Sequence, residues 1–268
     1  MSYRTVYGEE IILNVLPADK VQAVEKFRMS TFDGISWTCT VNSMAKTGTV
    51  LDYYYSVVKN GVEVRREWLV EPHKLVMTSM KGVSYTIYDR WIDNPEDSYM
   101  YSSAMTECIA ARKRQEAKPV EFSKTLKLKV RAPQLRSKDR LAILGDIKQL
   151  GNWEAIKALP MTEQQPNEWV ADIDVTNVTA ETIELKFVAL DEETDYTTLW
   201  ENTNNRRITL PKMNNGDVIV CELDVAFFFI YPVKVAGAVI PVFSLRSEGS
   251  FGVGDFGDLK MMVDWVAH

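Results

Sequence analysis

Eight residues, Ile183-Glu184-Leu185-Lys186-Phe187-Val188-Ala189-Leu190, set the pattern from which the architecture follows. It alternates apolar and charged side chains, then becomes continuously apolar, as a strand with one face in a core does. Lys186 lies between Leu185 and Phe187, so the alternation sends it to the opposite, solvent face. Similar runs occupy Gly8 to Val15, Trp37 to Val41, Tyr53 to Val58, Leu75 to Thr78 and Val83 to Ile87. Others follow at Leu126 to Val130, Leu141 to Leu144, Trp169 to Val175, Ile208 to Leu210 and Val218 to Leu223. Gly, Pro, Asn and Asp clusters separate them, a pattern that predicts a mainly β chain built as a sandwich or barrel. Val21 to Arg28 is expected to form a short helical or irregular piece.

The strands repeat. At an offset of 132, Trp37 matches Trp169, and Asp52-Tyr53-Tyr54-Tyr55 matches Glu184-Leu185-Lys186-Phe187. Trp68 then matches Trp200, Lys74 matches Arg206, and Ile11-Ile12 matches Ile143-Leu144. A constant offset without gaps predicts two copies of one β-domain. The charged stretch from Ala110 to Pro119 between them has the composition of a linker.

Composition excludes several function classes. The 268 residues carry a net charge of −6, with no basic cluster longer than Arg112-Lys113-Arg114, so nucleic acid is not the expected partner. No stretch reaches the ~20 apolar residues of a membrane span, and the first residues lack the apolar run of a signal peptide. Cys39, Cys108 and Cys221 are far apart and odd in number, which fits neither a metal site nor a disulfide framework. A cytoplasmic protein without metal or cofactor is expected.

The tail changes character. Gly237 to Phe243 is expected as a short apolar strand, followed by a glycine-rich loop from Ser247 to Gly257. Leu259, Met262, Val263 and Val266 then recur at helical spacing, with Asp255 or Asp258 as the cap. Strand, loop and helix together make the opening unit of an α/β fold. Gly252-Val253-Gly254-Asp255-Phe256-Gly257 fits G-x-G-x-x-G, but the glycines lie well beyond the expected strand, against dinucleotide binding. His73, expected as a solvated loop residue, leaves Ser-His-Asp chemistry without support.

Tryptophan position carries the functional reading. A sugar ring presents a C–H face that an aromatic side chain covers, and a hydroxyl rim that polar groups hold. Leu150-Gly151-Asn152-Trp153 sets one Trp after a Gly-Asn turn, and Leu199-Trp200-Glu201-Asn202-Thr203-Asn204-Asn205-Arg206 sets another in a polar loop. Each Trp alone reads as a core residue or a loop plug; the group, with Lys186, is more specific.

These motifs, from Lys124 to Asp224, resemble the starch-binding domain of carbohydrate-binding module family 20. The resemblance implies Trp153 and Trp200 as stacking platforms, Lys186 and Asn205 as hydroxyl ligands, Glu201 as a weaker one, and Trp169 as structural. The first copy carries Tyr7-Gly8-Glu9, the family's second-site motif, and keeps Trp68. It has Val21, Tyr54 and His73 where the second has Trp153, Lys186 and Asn205. Its candidate site is therefore Tyr7, Tyr54 and Trp68. The tail, Gly237 to Trp265, resembles the entrance to the barrel of glycoside hydrolase family 77, the 4-α-glucanotransferases. The expected organisation is two tandem antiparallel β-sandwiches, 1–110 and 124–226, a linker at 111–123, and the incomplete start of a (β/α)8 barrel at 227–268. The partner implied is an α-glucan polysaccharide or maltooligosaccharide. Such a barrel takes ~250 residues, so no catalytic residue is assignable and no transferase activity is expected of this chain. A structural spacer or homodimerisation module is the alternative, because exposed aromatic patches also mark protein interfaces.

Overall fold

The computed structural model describes residues 1–17, 23–41, 50–77, 82–112, 122–228 and 239–267. The chain divides into two compact units, Met1–Ile230 and Tyr231–His268. The first is mainly β and holds both repeats. The first repeat supplies β1 (Glu9–Leu16), β2 (Glu25–Arg28), β3 (Ser30–Thr31), β4 (Trp37–Thr38), β5 (Val50–Lys59), β6 (Val62–Arg66), β7 (His73–Val76) and β8 (Ser84–Tyr88). The second supplies β9 (Lys124–Arg131), β10 (Asp139–Gly145), β11 (Leu159–Pro160), β12 (Thr162–Gln165), β13 (Glu168–Asp174), β14 (Thr182–Asp191), β15 (Thr197–Trp200), β16 (Arg206–Thr209) and β17 (Asp217–Glu222). The piece expected to be helical or irregular before Arg28 is a strand over Glu25–Arg28, paired antiparallel with β1; residues 18–22 lie outside the described residues.

The second repeat is a sandwich. One sheet runs β11-β10-β14-β15 with β16 also paired to β14; the other runs β12-β13-β9-β17-β8. Alternate residues of both meet in one core, including Leu126, Leu128, Ile143, Trp169, Leu185 and Phe187. Leu185 and Phe187 are wholly buried, each stabilising by about 1.5–3 kcal/mol. The outward residues Ala142, Leu144, Val188 and Leu190 form a second apolar cluster on the far face of β10 and β14. That explains the continuous apolar end of the run from Ile183 to Leu190: β14 is covered on both sides there.

The first repeat builds a sheet β2-β1-β5-β6, with β7 paired to β5. Its core of Ile11, Trp37, Tyr53, Tyr55 and Leu75 is completed by Val218 and Val220 of β17. β17 lies between β9 and β8, parallel to both. Its alternation therefore divides it between two cores: Val218 and Val220 enter one, and Ile219 enters the other.

The repeat is real in β5 and β14 but its offset is not constant, contrary to the gapless expectation. Both strands have ten residues, and both carry a register shift at the same place, Val57/Val58 and Ala189/Leu190. Beyond it the copies diverge by two residues, because Ser56 pairs with Arg66 whereas Val188 pairs with Trp200. Hairpin length is the cause. Asn60 and Gly61 form a tight turn with φ of 52° and 78°, suited to the twist of paired strands. A longer turn from Glu192 to Tyr196 joins β14 to β15. Arg66, not Trp68, is therefore the counterpart of Trp200. The adjacent acids agree: Glu67 N–H donates to Tyr55 O (3.1 Å) and Glu201 N–H to Phe187 O (3.0 Å). Likewise His73, paired with Tyr53, is the counterpart of Arg206, paired with Leu185.

Of the expected linker, residues 113–121 lie outside the described residues. Arg112 is bound to the second repeat, donating to Glu163 Oε2 (2.9 Å), Asn167 Oδ1 (2.6 Å) and Leu135 O (3.0 Å). Its guanidinium lies 5.7 Å from the ring centroid of buried Trp169.

In the second unit, described over 239–267, α1 (Phe256–Ala267) forms as the spacing predicts. Asp255 accepts from Gly257 N–H (2.7 Å) and Asp258 N–H (3.1 Å), while Asp258 accepts from Asp255 N–H (3.0 Å). This reciprocal capping satisfies donors of the first turn. The expected strand over Gly237 to Phe243 is not formed among the described residues. Residues 237 and 238 lie outside them, and Val242–Ser244 is a 3-10 turn. Among the described residues no strand pairs with this segment to satisfy extended backbone. The glycine-rich loop serves packing: a side chain at Gly254 would meet Val242 O at 1.9 Å.

Candidate functional site

The outward face of β10 and β14 is where the sequence-predicted residues meet. Leu150 is buried in the core and pins the loop Lys148–Trp153 against the sheet edge. Gly151 (φ 78°), Asn152 (φ 48°) and Trp153 (φ 64°) then follow in left-handed conformation. For a bulky residue such as Trp this is a true outlier, and residues held so cluster at functional sites. At Gly151 a Cβ would stand 2.6 Å from Lys157 O, so glycine is required. The turn lays Trp153, half-buried, against the outward cluster of Ala142, Leu144, Val188 and Leu190.

Trp200 ends β15 directly opposite Val188, hence on the same face as Trp153. It is 47% exposed. Lys186 is the cross-strand partner of Leu144 and shares that face too. Its ammonium donates to Thr203 O (2.7 Å), tethering the loop after Trp200. Asn205 is exposed at the end of that loop. Two aromatic side chains, an ammonium and an amide are thus carried by one face and its bordering loops.

Glu201 lies elsewhere. It is 2% exposed, and its carboxylate accepts from Phe187 N–H (3.3 Å) and pairs with the Arg206 guanidinium. Arg206 also donates to Asp224 O (2.8 Å) and Val225 O (2.9 Å), with its guanidinium 5.1 Å from the Phe187 ring centroid. Glu201 anchors the base of the loop that follows Trp200, its carboxylate buried against Phe187 N–H and Arg206. Its burial cannot be read from its polarity, since an acid in a polar loop is usually solvated.

The first repeat does not reproduce the arrangement. Tyr7 is fully exposed, Tyr54 is buried opposite Asn14 on β5, and Trp68 lies edge-on to Tyr101 (5.1 Å, 81°). No hydrogen bond or ring contact joins Tyr7, Tyr54 and Trp68 among the described residues. The position of Val21 lies outside them. Trp68 instead lines a groove of about 410 Å³ with Tyr3, Arg65, Trp91 and Asp93. Tyr3 and Trp91 are stacked there at 4.1 Å.

His73 departs furthest from expectation. It is wholly buried on β7, between Glu67 (Nε2 to Oε1, 3.1 Å) and Glu222 (Nδ1 to Oε2, 3.0 Å). Burial alone would lower its pKa, but Asp89, Glu222 and Glu67 outweigh that and push it up to about 10. The sequence gives little sign of this, because His73, Asp89 and Glu222 come from three separate strands or strand ends.

Comparison with known proteins identifies the region that carries the face. Residues 124–220 match the family model described as the starch binding domain. The chain is 24% identical over 233 residues to 4-alpha-glucanotransferase DPE2 of Oryza sativa subsp. japonica, covering 83% of this chain and 24% of that protein. It is 35% identical over 82 residues to a cyclomaltodextrin glucanotransferase of Geobacillus stearothermophilus, covering 29% of this chain and 11% of that protein. The chain thus spans about a quarter or less of the length of these relatives. Among solved structures, the family 20 CBM of the maltotetraose-forming amylase from Pseudomonas saccharophila STB07 aligns with a TM-score of 0.30 and 16% identity. It covers 37% of this chain and 99% of that one.

Proposed function

We propose, from the premise that residues 124–220 are a starch binding domain, that this chain binds α-1,4-glucan without acting on it chemically. The observation that carries the reading is the placement of Trp153, Trp200 and Lys186 on one outward face, with Asn205 at its border. The two indoles cover C–H faces of glucose units, while Lys186 and Asn205 hold hydroxyl rims. Glu201 acts beneath them as a positioning residue. The ligand class is starch, glycogen or maltodextrin.

On this proposal, 1–110 and 124–226 are two modules joined at 111–123, and 227–268 is the start of a family 77 barrel in a larger 4-α-glucanotransferase of the cytoplasm. The family match over 124–220 and the break between compact units after Ile230 support it. Three well-separated free cysteines support a reducing compartment, and no described helix is long and apolar enough to cross a membrane.

Titration calorimetry with β-cyclodextrin, a curved mimic of the glucan helix, tests the site. Trp153→Ala and Trp200→Ala are each expected to weaken binding by about 2 kcal/mol, roughly 30-fold, with circular dichroism unchanged. Absence of binding by the wild type would overturn the reading. A second reading, in which the first repeat supports the module or pairs with another copy, is favoured by one observation: Arg66 stands where the second repeat has Trp200. Size-exclusion chromatography with and without maltoheptaose tests it; a dimer indifferent to the sugar supports it, and a monomer argues against pairing.

A further inference from the structure

The polar cluster around His73 lies where the repeats meet, and nothing in sugar binding uses it. His73 Nε2 contacts Glu67 Oε1 at 3.1 Å, and Glu67 is itself fixed by the backbone N–H groups of Tyr55 (2.7 Å) and Ile92 (2.9 Å). His73 Nδ1 lies 3.0 Å from Glu222 Oε2 and 3.9 Å from Asp89 Oδ1, with no aligned hydrogen bond to either. Asp89 Oδ2 accepts from the hydroxyls of Tyr53 (2.7 Å) and Tyr55 (2.8 Å), which leaves Oδ1 without a hydrogen-bond partner. Glu222 Oε2 is also buried without one. These three ligand atoms all lie within 4.8 Å of one another.

We propose that His73 Nδ1, Asp89 Oδ1 and Glu222 Oε2 form a site for a divalent transition-metal ion of the zinc type. Zinc takes imidazole and carboxylate ligands at about 2.0–2.2 Å, which sets its ligand atoms about 3–4 Å apart in a tetrahedron. The 3.0 and 3.9 Å separations span that range. Glu67 on the other ring nitrogen supplies the carboxylate–histidine–metal arrangement that fixes the tautomer of a ligating His.

Charge favours the same occupant. Among the described residues, buried Glu67, Asp89 and Glu168, with the Glu222 side chain, share this seam with the buried cations Lys129 and Arg131. A proton on His73 offsets one negative charge; a divalent ion on the neutral imidazole offsets two. The second repeat supplies its cation differently. Arg206, the counterpart of His73, reaches its own acid with a guanidinium. His73 is shorter, and Asp89 and Glu222 enter the space beyond its ring. The ion would bridge His73 and Asp89 of the first repeat to Glu222 on β17 of the second, holding the shared strand.

The test uses the 268-residue chain, stripped with EDTA and titrated with zinc chloride by competition against a chromophoric chelator. One equivalent is expected to bind, with at least tenfold weaker binding in Glu222→Gln and Asp89→Asn and no change in exposed Glu193→Gln. Because His73 and His268 are the chain's two histidines, imidazole nitrogen NMR reads the site without altering it. Zinc should shift Nδ1 of His73 to a metal-ligated position while Nε2 keeps its proton. Failure of zinc to bind the folded wild type more tightly than it binds Glu222→Gln overturns the proposal. So does an unchanged His73 Nδ1 signal at one equivalent of zinc, should either variant fail to fold.

Discussion

Glu201, expected as the weaker of the sugar ligands, is where a surface role and a buried role make different predictions. A sugar ligand at the surface would, on becoming Gln, weaken binding and leave stability alone. A buried partner of Arg206 that also receives Phe187 N–H behaves differently. Glu201→Gln leaves a largely buried guanidinium without its charge partner, a change that costs about 3 kcal/mol or more. Thermal unfolding should therefore show a clearly lowered midpoint, with binding reduced through the displaced loop; an unchanged midpoint would return Glu201 to the surface role. Trp200, 47% exposed, is the opposite case. Trp200→Ala should alter stability by no more than about 0.5 kcal/mol while weakening cyclodextrin binding. Asp33 offers a check independent of sugar. The N–H groups of Ser36 (2.7 Å) and Ile35 (2.8 Å) donate to its carboxylate and hold its pKa at about 2. A depressed carboxyl contributes stability above its ordinary pKa near 3.8 and loses it as pH falls through about 2. Carboxyl NMR should find Asp33 still ionised at pH 3; titration near 3.8 would contradict the turn.

At the scale of elements, the loop Lys148–Trp153 decides whether the face can form. Three left-handed residues turn Trp153 back over β10 and β14. Gly151→Ala adds a Cβ 2.6 Å from the Lys157 carbonyl at a φ of 78°. It should destabilise by about 1–3 kcal/mol and weaken cyclodextrin binding in calorimetry, although residue 151 touches no sugar in this reading. Equal affinity in that variant would mean that Trp153 is not placed by the turn. The same scale explains why the repeat was only partly legible. Ten-residue β5 and β14 align directly because their inward residues must fill a core. Beyond them, Asn60-Gly61 closes one hairpin in two residues and Glu192 to Tyr196 closes the other in a longer turn. A side-chain match across hairpins of different length, such as Trp68 with Trp200, carries no spatial meaning.

Over the whole first unit, β17 links the repeats. Val218 and Val220 complete the first core while Ile219 is buried in the second. Arg131 donates to Glu71 O (3.3 Å) and Gln165 to Pro72 O (3.0 Å) across the same seam. Differential scanning calorimetry should show both repeats unfolding in one transition, and Val220→Ala, which opens a cavity at the shared strand, should lower that transition by roughly 1–3 kcal/mol as a whole. Two resolved transitions, with only one moved by the substitution, would show that β17 does not couple them.

The β class, the second repeat's longer strands and the inward and outward sides of β14 were legible in the sequence, whereas β11, β12 and β15 were not, and Trp200, read as a loop residue, ends β15. Also legible was the helix over Phe256–Ala267 with Asp255 or Asp258 as its cap, of which Asp255 accepts the first-turn N–H groups. These follow from local periodicity and from turn residues next to the strands, whereas the roles of Trp153, Trp200, Lys186 and Asn205 rest on the family resemblance. The burial of Glu201 and His73, the place of Arg66 opposite Ser56 where the second repeat has Trp200, and the division of β17 between two cores emerge with the folded chain. Burial of a charge depends on partners far away in the chain, here Arg206, Asp89 and Glu222. A strand's period reveals its two faces but not which neighbour covers each.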